Sequence, residues 1–270
     1  MRIPVEDGAA LIMKHAVVTL SLGASPIFDE TRPLMARYAE RIGADFVPIE
    51  GPFLSKQECH KRKFELRDLL ERYERILFLD NDIAIRYDAP DVFERVPADR
   101  LGGTTEGPPL FRSRAEIVRE SCAYYGAPDP GERDFWLNTG VMVVSRCHRE
   151  VFAAPPSEMR EFGSGWLDMP LVSARMEQLG LETFELGPAF NYIGSIAFQR
   201  GRPFEPYEAY FFHATGALRH RRMDYVRRVI RIWRRMESGS SANFIDRASF
   251  RARAAWGRWR RDVRKRAAAR

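Results

Sequence analysis

The chain has 270 residues, 45% hydrophobic and 12% aromatic, which is enough to bury one sizeable core without a second full domain. Its apolar runs fall far below the roughly 18 to 20 residues that cross a bilayer, and no basic stretch leads into a long apolar one, which argues against a spanning or secreted protein. The formal charge of +6 is uneven: residues 217–270 hold 18 of the 43 basic side chains and 4 of the 37 acidic ones, so an acidic body carries a basic tail suited to an anionic partner. Residues 1–12 precede the first convincing strand and are expected to form a loose leader. Residues 15–22 are an apolar, β-branched run closed by Gly23, which predicts a strand. Ile27, Leu34, Met35, Tyr38 and Ile42 fall at helical spacing and predict a helix over 26–41, followed by a strand over 45–49. Ser55, with Glu58 three residues on, has the pattern of a capping box and predicts a helix running to Tyr73. A third strand over 76–79 completes a strand-helix-strand-helix-strand series, the signature of a parallel sheet.

Farther on, the pattern predicts a short helix over 88–96, a strand over 101–105, a helix near 114–125 and a strand over 136–144. It continues with an amphipathic helix over 167–179, a strand over 182–186 and a short aromatic strand over 210–212 that ends at His213. Beyond Arg219 the texture changes. Tyr225, Val226, Val229, Ile230, Trp233 and Met236 line one face of a helix whose other face carries Arg227, Arg228, Arg231, Arg234 and Arg235. After a break at 239–242, residues 247–270 form a second Arg-rich segment with Phe250, Trp256 and Trp259. Tryptophan among arginines suits the headgroup zone of an anionic membrane surface, so residues 220–270 are expected to bind one; the alternative is a helix packed on the body with solvated charges. Cys59, Cys122 and Cys147 are odd in number and widely spaced, which fits neither a disulfide framework nor a zinc cluster and agrees with a reducing cytoplasm.

The chemistry gathers at Asp80-Asn81-Asp82, directly after the buried third strand. Unpaired carboxylates one residue apart in a greasy run cost several kcal/mol or take up protons, so a cation is expected beside them. Hard divalent ions such as Mn²⁺ or Mg²⁺ take oxygen ligands and often bind through one or two carboxylates plus substrate phosphates. In open α/β sheets ligands gather at the carboxyl ends of strands, which is where Asp80 falls. His213 offers a metal-competent imidazole, Gly216 allows close backbone approach, and Arg219 has a guanidinium suited to a diphosphate. Lys63, one helix upstream of Asp80, supplies a second cation, and Asp168, opening its helix, either caps free N–H groups or faces a sugar.

In this order the chain resembles the family 8 glycosyltransferases, the glycogenin and lipopolysaccharide galactosyltransferase type, over roughly residues 15–219. Phe78-Leu-Asp-Asn-Asp82 is similar to the family's Asp-x-Asp strand, and Lys63 stands where the family has a basic residue directed at the donor. The stretch from Asn138 to Val144 resembles the family's Asn-Ala-Gly-Val segment, and Asp168 the aspartate of its Asp-Gln element. Phe190-Asn-Tyr192 is similar to its Tyr-Asn loop, and His213-x-x-Gly216-x-x-Arg219 to its His-x-x-Gly-x-x-Lys. The resemblance implies a Rossmann-like GT-A fold, a mixed α/β sheet flanked by helices, over residues 13–219, with 220–270 as a basic helical tail. It implies a UDP-hexose donor, Mn²⁺ on Asp80, Asp82 and His213, donor contacts from Lys63, Asn81, Gly216 and Arg219, and catalytic roles for Asn138 and Asp168. A glycan or lipid-linked acceptor, retention of anomeric configuration and a cytoplasmic, peripherally membrane-associated site of action complete the expectation. Met169 replaces the family's glutamine and Pro-Trp is missing after Arg219. Two other readings are a non-catalytic adaptor acting through the basic tail and a sugar nucleotidyltransferase. The acidic body and the absence of a nucleic-acid module speak against nucleic acid as a partner, and Ser21-Leu-Gly-Ala-Ser25 is a poor substitute for a nucleotidyltransferase's glycine-rich basic loop.

Overall fold

The structure, a computed structural model, describes residues 13–108, 113–163, 165–193, 206–215 and 222–239. The expected leader, the Arg-rich segment 247–270, Gly216 and Arg219 lie outside the described residues. The first half alternates as the sequence predicts: β1 (Met13–Leu22), α1 (Pro26–Arg41), β2 (Asp45–Gly51), α2 (Lys56–Lys61), α3 (Leu66–Arg72) and β3 (Tyr73–Leu79). There follow β4 (Ile83–Ile85), α4 (Val92–Arg95), β5 (Leu101–Glu106), α5 (Ala115–Tyr124), β6 (Trp136–Ser145), α6 (Asp168–Gln178), β7 (Thr183–Glu185), β8 (Tyr192–Ile193), β9 (Phe211–His213) and α7 (Arg222–Glu237). A main sheet runs β2-β1-β3-β6-β5-β7 and a small one β4-β9-β8. In the main sheet β2, β1 and β3 are parallel, while β6 is antiparallel to both β3 and β5.

Alternation along the strands sends side chains to two layers of core. Ala16, Val18 and Leu20 pack with Leu66 and Leu70 of α3 and Leu171 and Met176 of α6. Val17, Leu77 and Leu79 pack on the opposite face with Phe28, Met35 and Tyr38 of α1 and Phe93 of α4. Apolar side chains on both faces make such strands continuous hydrophobic runs, which is why β3 reads as Ile-Leu-Phe-Leu.

The helix expected from Ser55 to Tyr73 is three pieces, because a 3₁₀ turn at Arg62–Glu65 separates α2 from α3. Ser55 does cap it, accepting from Glu58 N at 3.1 Å, but the Glu58 carboxylate takes Lys61 Nζ at 2.7 Å instead of closing the box. The tighter turn swings Lys63 and Phe64 inward, whereas α2 buries none of its residues.

Two irregularities then build the site. Between Gly103 and Thr104 of β5 the partner on β6 jumps from Met142 to Asn138, so Thr139, Gly140 and Val141 have no partner in β5. Such a bulge re-aims the strand, here beside Asp80, whose N–H donates to Gly140 O at 2.8 Å. The small sheet pairs Ile83 with His213 and His213 with Ile193, which sets the last residue of β9 against Asp82 on one side and the Asn191 loop on the other.

Helix α7 has the two faces the sequence predicts, and its apolar one is in the core. Val226, Val229, Ile230, Ile232 and Trp233 pack with Ala84, Tyr192, Tyr207 and Phe212, and the Trp233 indole N–H donates to Tyr207 O at 2.7 Å. The face that the sequence suits to a headgroup layer is therefore covered by the small sheet and its flanking loop, and Arg231 and Arg234 are left exposed on the other side. Among the described residues no helix is long and apolar enough to cross a membrane.

Candidate active site

The carboxyl ends of β3 and β5 and the amino end of the antiparallel β6 share one edge of the main sheet, and the polar residues converge there. Asp80 is partly exposed while Asp82 is buried, and the turn between them is held by Thr31 Oγ1 donating to Asn81 O at 2.6 Å. His213 Nε2 is 3.2 Å from Asp82 Oδ1 and 3.7 Å from Asp80 Oδ2. One donor atom from each of these three residues lies within 4.8 Å of the others. Adjacent oxygen or nitrogen ligands of an octahedral ion with bonds of about 2.1 Å stand about 3 Å apart, so the spacing and the donor set fit Mn²⁺ or Mg²⁺.

A directed hydrogen-bond chain fixes which imidazole nitrogen faces the carboxylates. Glu106 Oε2 takes Arg114 and Oε1 accepts from Asn138 Nδ2 at 2.7 Å; Asn138 Oδ1 accepts from Gly140 N at 3.0 Å and from Asn191 Nδ2 at 2.8 Å. Asn191 Oδ1 can then only accept, so His213 Nδ1, 2.9 Å away, carries the hydrogen and Nε2 points at Asp82. An N–H held by a second residue in this way is the usual support of a metal-ligating histidine. Both amides sit near strand starts: Asn138 is the third residue of β6, and Asn191 directly precedes β8.

Lys63 is buried, with Nζ 3.0 Å from Asp80 Oδ1, 2.7 Å from Asp168 Oδ2 and 3.2 Å from Thr139 O. Burial alone lowers an ammonium's pKa, but Asp168 and then Asp80 outweigh it and the net shift is upward. Asp168 is also buried; burial raises its pKa, and Lys63 and His60 more than reverse that, holding the carboxyl well below its ordinary range. Asp82 behaves alike: burial raises it, and His213 and Arg222 bring it down to about 2. For His213, burial lowers the pKa and Asp82 outweighs it, so the imidazole sits above its ordinary value.

The structure thus brings Lys63, Asp80, Asp82, Asn138, Asp168 and His213 to one place, with the Asn81 carbonyl turned toward Thr31. Four neighbours escaped the sequence reading. His60 Nδ1 donates to Asp168 Oδ1 at 2.7 Å, since an ionised carboxylate only accepts, and its one signal is the i, i+3 spacing to Lys63. Thr139 Oγ1 donates to Asp168 Oδ2 at 2.7 Å, and Glu106 anchors the amide chain, although a carboxylate at a strand end gives no such hint. Arg222 pairs with Asp82 Oδ2, its Nε donating to Ala214 O at 2.6 Å; it is the guanidinium found at the site among the described residues, three positions beyond Arg219. Met169, which replaces the family's glutamine, is buried among Trp136, Phe162, Val118 and Cys122.

No protein-family model and no curated protein sequence matches the chain. Solved structures do resemble it. A glycosyltransferase involved in glycosylation of the major capsid of PBCV-1 superposes with a TM-score of 0.51 at 16% identity, over 79% of this chain and 98% of that one. The galactosyltransferase LgtC, in complex with donor and acceptor sugar analogues, gives 0.46 at 14%, over 75% and 87%. The glycosyltransferase GlyE of Streptococcus pneumoniae gives 0.46 at 16%, over 79% and 60%. At such identities the likeness is one of fold, and the fold of this chain is the GT-A glycosyltransferase fold, a mixed sheet with helices on both faces.

Proposed function

We propose that this protein is a metal-dependent glycosyltransferase that moves a hexose from a nucleotide diphosphate sugar, UDP-hexose in the first instance, to a hydroxyl of a glycan or lipid-linked glycan with retention of anomeric configuration. The observation that carries the reading is the cluster of Asp80, Asp82 and His213, backed by Lys63, at the carboxyl end of β3 in a GT-A sheet. The three side chains would hold Mn²⁺ or Mg²⁺, which when bound supplies the positive charge that a departing diphosphate requires. Lys63 fixes the Asp80 carboxylate from the inner side and leaves its other oxygen toward His213. Asn191 and Asn138 hold the His213 tautomer, and Asp168 with Thr139 holds Lys63. Arg222 adds a guanidinium beside Asp82, and in the resemblance Arg219 would add a second for the phosphates and Gly216 would allow their close approach to the backbone. The basic tail would bring the enzyme to an anionic membrane surface carrying its acceptor, through charge rather than through the buried face of α7.

The reading is tested by incubating the full chain with UDP-glucose and UDP-galactose, with Mn²⁺ or with chelator, and measuring UDP release for wild type and Asp82→Ala. Release that depends on Mn²⁺ and falls at least about 100-fold in the variant is expected. Equal rates in the two proteins, or in metal and chelator, would sink the metal assignment.

A further inference from the structure

We propose that His60 meets a sugar hydroxyl of the substrate, with Asp168 behind the ring orienting it. The inference rests on the transferase reading above and adds a residue that the family resemblance does not name. A carboxylate offers about four acceptor positions. Asp168 Oδ2 spends two on Lys63 Nζ and Thr139 Oγ1, each at 2.7 Å, and Oδ1 spends one on His60 Nδ1, also at 2.7 Å. The Asp168 side chain is 4% exposed and already holds three protein partners, so it is the less accessible of the two groups to a hydroxyl. Of those partners the Lys63 side chain is 6% exposed and the His60 ring 29%.

An ionised Asp168 can only accept, so His60 carries a hydrogen on Nδ1, and Nε2 is left to meet a hydroxyl, as acceptor in the neutral ring or as donor in the doubly protonated one. Among the described residues Nε2 has no partner. A buried carboxylate that orients a partly exposed imidazole is an arrangement that can present a ring to a hydroxyl. Its place is set: Lys61 Nζ donates to Ser157 O at 2.6 Å and Lys56 Nζ to Gly165 O at 2.7 Å, tying α2 to the segment that leads into α6. The ring also stands one ion pair from the metal-site carboxylate, since Lys63 Nζ bridges Asp168 and Asp80. The hydroxyl belongs either to the donor hexose or to the acceptor, and the two sources differ in which kinetic constant moves.

The test uses full-length wild type, His60→Ala and His60→Gln with UDP-glucose and UDP-galactose, Mn²⁺, and either water or lactose as acceptor. With melting temperature held, a five- to tenfold rise in donor KM for hydrolysis and transfer alike assigns the ring to the donor. Unchanged hydrolysis with a similar rise in the lactose KM assigns it to the acceptor. Unchanged constants in a folded His60→Ala overturn the proposal. Long-range ¹H–¹⁵N spectra of the imidazoles give a second readout that needs no turnover. His60 should show the Nδ1–H tautomer, lost in Asp168→Asn, and its Nε2 resonance should shift on titration with galactose or lactose. Should wild type turn over no nucleotide sugar, the transferase reading falls by itself, and this titration decides the role of His60: a shift supports it, and an Nε2–H tautomer or no shift overturns it.

Discussion

Asn191 Oδ1 lies 2.9 Å from His213 Nδ1, and because the Asn191 amide N–H is committed to Asn138, this contact decides which nitrogen of His213 faces Asp82. Replacing Asn191 with Leu keeps the volume and removes the acceptor, leaving the ring free to rotate or change tautomer. Mn²⁺ affinity should fall about 10- to 100-fold, as is usual when the partner of a metal-bound histidine is lost. Calorimetric titration of Mn²⁺ into both proteins measures this, and an unchanged affinity would show that the amide chain does not orient the ligand.

Gly140 offers a steric test of the same site. A Cβ there would lie 2.4 Å from His213 Cε1 and 3.0 Å from both Asn138 Oδ1 and Asp80 Oδ2. Gly140→Ala should therefore weaken Mn²⁺ binding by about tenfold or more, since the ring must move off the carboxylates. His213→Ala removes the clashing ring, so adding Gly140→Ala to it should cost less stability than adding Gly140→Ala to wild type. A double-mutant cycle by urea denaturation reads that coupling, and simple additivity would rule the clash out.

The residues of this site differ in how far the sequence shows them, and the reason is their distance from one another along the chain. Asp80 and Asp82 stand out because charge interrupts a buried strand, and His213 because it ends an aromatic one. The bond between His60 and Asp168 joins positions 108 apart, and nothing local marks it beyond the shared face of His60 and Lys63. The bulge at Asn138 is equally silent, being a mismatch between two strands rather than a feature of either. Helix α7 shows the limit from the other side. Its periodicity marks an amphipathic helix, but the same pattern serves a bilayer or a core, and Tyr192, Tyr207 and Phe212 supply the core.

The Lys63 and Asp168 pair predicts a pH dependence of stability. Asp168 is held well below its ordinary value, so its contribution is fully present above the unfolded value of about 4 and is lost as pH falls through the folded one. Asp168→Asn leaves a buried ammonium with one carboxylate fewer and should cost about 3 kcal/mol at neutral pH. The gap between wild type and variant should narrow as pH drops below about 4, where the unfolded wild type takes up a proton that the folded one refuses. Urea denaturation over a pH series follows this, and a gap that stays constant or widens in acid contradicts it.

The two faces of α7 make separable predictions for stability and membrane binding. Trp233 is 3% exposed and hydrogen-bonded to Tyr207 O, so Trp233→Ala should destabilise the fold by about 3 to 5 kcal/mol. Arg231 and Arg234 are exposed, and replacing both with Gln should leave the urea midpoint nearly unchanged. If charge brings the tail to an anionic surface, the same pair should lower partitioning onto phosphatidylcholine vesicles containing phosphatidylserine by about 2 kcal/mol, roughly 30-fold. Flotation of the full-length protein measures it, with pure phosphatidylcholine vesicles as the uncharged control. A Trp233→Ala protein that keeps its stability and loses vesicle binding would mean that the apolar face leaves the small sheet for the bilayer, against the packing seen here.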